Sequence, residues 1–148
     1  MKKKMIIIGG GISGIYLSIL LKKYLDMDVV VLEANDKPLK KLLATGNGRC
    51  NLSNKDLDKA HYDGDIKPWV NDIIHDFDIV EALKDIGLYT KYMGNLLYPY
   101  SESAKAVQTL FLNRAEEYGV KIICDEEVLS IKKSKHGYFI PVSYTHLT

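Results

Sequence analysis

Met5-Ile6-Ile7-Ile8-Gly9-Gly10-Gly11-Ile12-Ser13-Gly14 lies almost at the start of the chain, and its reading decides the fold. A short β-branched run bounded by glycine reads as a fully buried parallel strand. Gly9, Gly11 and Gly14 then fit the spacing G-x-G-x-x-G. The first lets the chain turn sharply out of the strand. The second lets a pyrophosphate approach the backbone, and the third lets a helix pack closely on the strand. From Ile12 to Tyr24 the residues Ile12, Ile15, Tyr16, Ile19 and Leu20 recur at i, i+3, i+4, i+7 and i+8, which predicts a helix with a wide apolar face. Its first amides, from Ile12 and Ser13 onward, point at an anion, and the helix dipole adds to the attraction. Val29 to Leu32 reads as a second buried strand ending at Glu33, 19 residues beyond Gly14. A carboxylate there can accept both hydroxyl protons of an adenosine ribose, and it repels a 2′-phosphate. Strand, helix and strand predict an α/β, Rossmann-type domain with a parallel sheet. FAD and NAD both carry the free ribose, so this unit leaves the choice of dinucleotide open.

The rest of the composition bounds the problem. The chain has 148 residues, 47% of them apolar, which is enough for one domain with a real core. Twenty basic against nineteen acidic side chains give a net charge of +1, which argues against a nucleic-acid or polyanion partner. Eighteen of the twenty bases are lysine, so Arg49 and Arg114 each raise a question. Cys50 and Cys124 form neither a disulfide framework nor a C-x-x-C pair. Lys2 to Lys4 followed by an apolar run imitates a signal peptide, but glycines break the run and no cleavage site follows. No uninterrupted stretch is long enough to span a bilayer. The expected address is the cytoplasm, with no membrane partner.

Further along, Asn35 to Asp65 reads as a long, irregular, polar loop, which favours a functional loop over a connector. Helices are expected from Pro68 to Phe77, around Ile79 to Ile86, and from Ala104 to Gly119. Trp69, at helical spacing, is expected in the core. Leu88 to Met93 and Leu96 to Tyr98 read as strands around Gly94-Asn95. Val120 to Cys124 reads as a third buried strand, with Cys124 in the core. Val128 to Lys133 and Tyr138 to Ile140 read as a hairpin turning at His136-Gly137. Pro141 to Thr148 resembles the translation of a sequencing adapter read straight through. The expectation is therefore a truncated domain over residues 1–140, ending in the start of a β-hairpin or meander, with 141–148 a non-native tail and the native protein continuing past Ile140.

Lys41-Leu42-Leu43-Ala44-Thr45-Gly46-Asn47-Gly48-Arg49-Cys50-Asn51-Leu52-Ser53-Asn54 carries the more specific signal. Read from its residues alone it is an Asn/Gly-rich loop that bends around something or a plain surface loop. The stretch resembles the K-x-L-x-[ST]-G-[GN]-G-R-C-N signature of the BaiN-like family of FAD-dependent oxidoreductases, also labelled NAD(P)/FAD-dependent or aminoacetone-oxidase-family enzymes. The similarity continues in order through Leu97-Tyr98-Pro99-Tyr100-Ser101 and Gly119-Val120. One departure is that Asn95-Leu96-Leu97 stands where many members carry G-R-V, so that arginine is absent here.

The resemblance implies a flavoprotein that transfers hydride between a small-molecule substrate, or NAD(P)H, and FAD. It implies that Gly9, Gly11, Ile12, Ser13 and Gly14 hold the FAD diphosphate and Glu33 the adenosine ribose. Lys41, Asn47, Gly48, Arg49, Cys50 and Asn51 would line the flavin half, and Val128 would offer backbone groups to the adenine. Arg49, a fixed cation, would stabilise the negative charge of a reduced flavin. No catalytic acid or base can be named, and the fragment itself is expected to be inactive. The rivals are an NAD-dependent dehydrogenase without flavin and a non-catalytic FAD-binding fragment. Cys50 is a redox thiol or, more simply, a small packed residue. His61, His75 and His136 show no metal spacing. Tyr98 and Tyr100, bracketing Pro99, approach a substrate or simply pack.

Overall fold

The computed structural model describes residues 3–25, 27–57, 67–135 and 137–144. In chain order the elements are β1 (Lys3–Ile8), α1 (Ile12–Tyr24), β2 (Met27–Leu32), β3 (Ser53–Asn54), α2 (Lys67–Asp76) and α3 (Ile79–Asp85). There follow β4 (Thr90–Met93), β5 (Leu96–Pro99), α4 (Ala104–Glu117), β6 (Lys121–Ile123), β7 (Glu126–Val128), β8 (Lys132–Ser134), β9 (Gly137–Phe139) and β10 (Val142–Tyr144). Contacts group them into two units, one of Met1–Leu43 with Phe111–Thr148 and one of Ala44–Leu110.

The first unit is built on a parallel sheet in the order β1-β2-β6. Ile7 lies opposite Val31, and Val31 opposite Ile122. The strand–helix–strand beginning of a Rossmann-type α/β fold is therefore present as the glycine spacing predicts. Ile7, Val29 and Val31 from the strands meet Ile15 and Ile19 from α1, and Phe111 and Ala115 from α4 are buried as well. Phe111 packs edge-on to Tyr16 at 6.1 Å between ring centres. Burial of such a ring stabilises by about 1.5–3 kcal/mol. Ser18 is buried among these side chains because its hydroxyl donates to the Ile15 carbonyl.

Strand burial differs from expectation at β1. Only Ile7 is buried, while Met5 and Ile8 are exposed. The reason is position: β1 is the outermost strand of the described sheet and has β2 as its one strand neighbour there. β6 is shorter than the expected 120–124, and its Ile122 and Ile123 are half-buried. Cys124 is also half-buried rather than core, because the chain turns at Asp125 (φ 58°) to cross the end of β2. There the Asp125 amide donates to the Asn35 carbonyl and the Glu126 amide to the Glu33 carbonyl. The expected hairpin resolves into two antiparallel ladders, β8 with β9 and, outside it, β7 with β10.

The second unit carries an antiparallel sheet in the order β3-β5-β4, with Gly94-Asn95 as the two-residue turn between β4 and β5. Asp78 caps α3: its carboxylate accepts from the Val80 and Glu81 amides at 3.0 and 3.1 Å. The core holds Leu83, Ile86, Leu88, Leu97, Tyr98, Ala104 and Val107. The stretch expected to be irregular contains two 3-10 turns over Lys41–Gly48, separated by a kink at Thr45 to Asn47. The expectation for Trp69 is overturned: it is 75% exposed, as are Ile73 and Phe77 along the same helical stripe to lesser degrees. Among the described residues, no helix is long and apolar enough to cross a membrane.

Candidate functional site

β1 ends at Ile8, and the Gly9 amide donates to the Leu32 carbonyl, tying the bend to the neighbouring strand at 2.8 Å. Gly11 then caps α1 in an extended conformation with no side-chain bond, and the first turn carries no acidic residue. The first amides of a helix have no partner within it, so donors face outward here. The glycines differ in what confines them. A Cβ at Gly14 would lie 2.1 Å from the Gly9 carbonyl oxygen, so helix and bend touch backbone to backbone. A Cβ at Gly11 would meet nothing within 4 Å, which leaves that stretch of main chain open to approach.

Glu33 follows β2 and is almost fully buried. Its Oε2 accepts from the Gly10 amide at 2.7 Å, and its Oε1 accepts from the Asn35 amide at 2.8 Å and from the Asn35 side-chain amide. Burial pushes this carboxyl up, but the bonds from Asn35 and Gly10 and the charge of Lys40 outweigh burial and hold it below its usual value. Three of roughly four acceptor positions on an ionised carboxylate are thus taken, leaving room on Oε2 for one further donor rather than the two hydroxyl protons that the spacing allows. Asn35, which holds this carboxylate, is a candidate site residue that sequence reasoning missed. Its signal was available in an amide two residues after a strand-end carboxylate, a spacing at which side chain and backbone share a turn.

A cleft of about 230 Å³ opens here, lined among others by Gly10, Gly11, Glu33, Asn35, Lys40 and Lys41. That is below the roughly 300–1,000 Å³ of a whole-ligand pocket and suits one portion of a longer molecule. Lys40 is ion-paired with Asp36, whereas the exposed Lys41 contributes a cation at the mouth. Val128 lies in β7 at intermediate burial. The Leu129 amide donates to Pro141 and the Glu126 amide to Glu33. By strand alternation Val128 therefore presents its polar main-chain groups on the Glu33 side, away from β10.

The remaining sequence candidates, Asn47, Gly48, Arg49, Cys50 and Asn51, belong to the second unit. Their loop is unusual: Gly46, Asn47, Gly48 and Cys50 all have φ between 54° and 80°. For Asn47 and Cys50 that conformation is costly and persists only where surroundings enforce it. The enforcement is visible. The Cys50 amide donates to Thr45, the Arg49 amide to Gly46, and a Cβ at Gly46 would lie 2.6 Å from the Asn51 nitrogen. Asn47, Gly48, Arg49 and Asn51 remain exposed while Cys50 is fully buried. Burial pushes the Cys50 thiol up, which disfavours its reactive thiolate.

The sequence pattern of the HI0933-like protein Rossmann domain matches residues 3–146. The chain belongs to the HI0933-like family. The family expected from the loop at residues 41–54 is thereby borne out. One curated relative of this HI0933-like chain is a 3-dehydro-bile acid delta(4,6)-reductase of Clostridium scindens, 37% identical over 138 residues, covering 90% of the chain and 34% of the relative. Another is a ribosomal RNA dihydrouridine synthase of Haemophilus influenzae, 29% identical over 133 residues, covering 86% of the chain and 32% of the relative. The chain thus spans about a third of the length of these relatives. Among solved structures, a 3-ketosteroid-delta4-(5alpha)-dehydrogenase from Rhodococcus jostii superposes with a TM-score of 0.64 at 14% identity, covering 97% of this chain and 42% of that one, a likeness of fold.

Proposed function

We propose that this HI0933-like chain is the FAD-binding part of a flavin-dependent oxidoreductase that moves hydride between a small-molecule substrate, or NAD(P)H, and the flavin. The observation that carries the reading is the junction of an open glycine bend with a buried, ionised Glu33 at one cleft. Those residues fit the group: main chain at Gly11, Ile12 and Ser13 offers amides to a diphosphate, and the free position on Glu33 Oε2 receives one ribose hydroxyl. Gly9 and Gly14 shape the bend, Lys41 offsets diphosphate charge, and Val128 supplies main-chain groups for an adenine edge. The exposed loop from Asn47 to Asn51 is assigned to the flavin half, with Cys50 as its buried anchor rather than a redox thiol. When bound, FAD supplies the hydride acceptor. The chain's own contribution is to bind it, orient it and set the charge around it.

Oxidoreductase chemistry is supported by the family and by the name of the bile acid reductase relative. A small-molecule substrate is favoured over RNA by charge: residues 44–110 carry seven basic and ten acidic side chains, an unfavourable surface for a polyanion. A cytoplasmic location belongs to the same proposal and is supported by two cysteines kept free. The test is to purify the complete polypeptide read from the uninterrupted gene and then the Glu33→Ala variant. The parent is expected to retain FAD through purification, and the variant to lose it. Equal retention by both would remove Glu33 from the proposed role.

A further inference from the structure

Tyr98 is 5% exposed, and its ring forms a fixed floor at the second unit. The Arg49 guanidinium lies over that ring at 5.1 Å from its centre. The Gly46 backbone presses on the same ring, since a Cβ there would sit 3.2 Å from Tyr98 Cε1. Lys91 is the cross-strand partner of Tyr98 in the β4–β5 ladder, so the two share a face of the sheet. The Lys91 ammonium pairs with the Glu102 carboxylate at 2.5 Å, both side chains being about one-third exposed. Lys91 also lies 5.9 Å from the centre of the Tyr100 ring. Glu102 is near enough to Arg49 to feel its charge, yet Lys91 contributes most to holding its carboxyl below the usual value. Among the described residues, no ion pair forms at Arg49.

We propose that Tyr98 and the Lys91–Glu102 pair are positioning residues that keep the Arg49 charge fixed and uncompensated for the flavin. The inference rests on the reading that FAD is bound with its flavin half against this loop. Two devices act together. The ring of Tyr98 holds the guanidinium over its face, because a cation over an aromatic ring is attracted by the ring quadrupole. The Lys91 ammonium occupies the Glu102 carboxylate, which would otherwise swing to Arg49 and cancel its charge. A guanidinium neutralised by Glu102 would give little stabilisation to negative charge on a reduced flavin. One held on Tyr98 and left unpaired gives more. The strained loop then has a physical purpose: it carries Arg49 to the only buried tyrosine face on this strand.

The experiment is a charge cycle on the complete, FAD-loaded polypeptide, read as the midpoint potential of the bound flavin. Lys91→Met frees Glu102 and is expected to lower the potential, changing the reduced-to-oxidised ratio at fixed potential by about three- to tenfold, as expected for one partly screened charge at close range. Adding Glu102→Gln to Lys91→Met is expected to return the potential to that of the parent. Lys91→Arg, which keeps the pair, is expected to leave it unmoved. Tyr98→Leu is expected to lower it, while Tyr98→Phe, which keeps the ring, is not. Thermal melts establish that each variant folds, and Lys91→Arg and Tyr98→Phe keep the test open where a bolder change does not fold. An unmoved potential in Lys91→Met, or a double variant that stays low, overturns the inference while FAD binding stands. A parent polypeptide that takes up no FAD overturns the proposed function and this inference with it.

Discussion

At the scale of single residues, the two glycines that flank the start of α1 are predicted to fail differently. Gly14→Ala drives a methyl into the Gly9 carbonyl and is expected to cost about 1–3 kcal/mol of stability, read by denaturant melts. Gly11→Ala meets open space, so its melt is expected to stay near that of the parent while FAD affinity falls. Glu33 gives a pH prediction. Its folded carboxyl lies below its ordinary value, so its contribution is fully present above about pH 4.5 and is lost as the pH falls through the folded value. Thermal melts on descending pH are expected to show this loss in the parent and not in Glu33→Gln. The glycines and Glu33 were legible because their spacing is fixed by turn geometry. Asn35 was missed although its partner Glu33 is only two residues away, whereas the role of Tyr98 was not legible because it depends on Arg49, far away in sequence, and on which side of a strand is buried. Of the candidates named in sequence, Cys50 is reached by burial and not by reactivity.

At the scale of elements, helices and strands with a clear period were legible to within a residue or two. α1 occupies Ile12–Tyr24 as its apolar repeat demands, and α3 begins where Asp78 can cap it. Asp78→Ala removes both amide partners and is expected to cost about 1 kcal/mol, measured by denaturant unfolding. What periodicity could not give was coverage. Trp69, Ile73 and Phe77 keep helical spacing yet stay exposed, because an apolar stripe states a preference and not the presence of a partner. The same limit applies to β1, whose β-branched run reads as buried although Met5 and Ile8 are exposed. The region after Ile123 resisted reading for another reason. Its strands are three residues each, too short for alternation to define register, and pairing depends on Val128 finding Val142.

At the scale of the whole molecule, the parallel sheet β1-β2-β6 leaves β1 with one strand neighbour among the described residues. With the chain spanning a third of its relatives, the 148 residues alone are expected to hold FAD substoichiometrically and to aggregate through that edge, as seen by light scattering. Residues 141–148 are proposed to be non-native. The family match running to residue 146 points the other way, and the source DNA downstream of Ile140 decides between them. An open glycine bend and an ionised Glu33 together are proposed to hold FAD. The absorbance spectrum and released-cofactor content of the purified complete polypeptide measure this. A yellow protein with about one FAD per chain is expected. A colourless protein that takes up NAD but no flavin would contradict it.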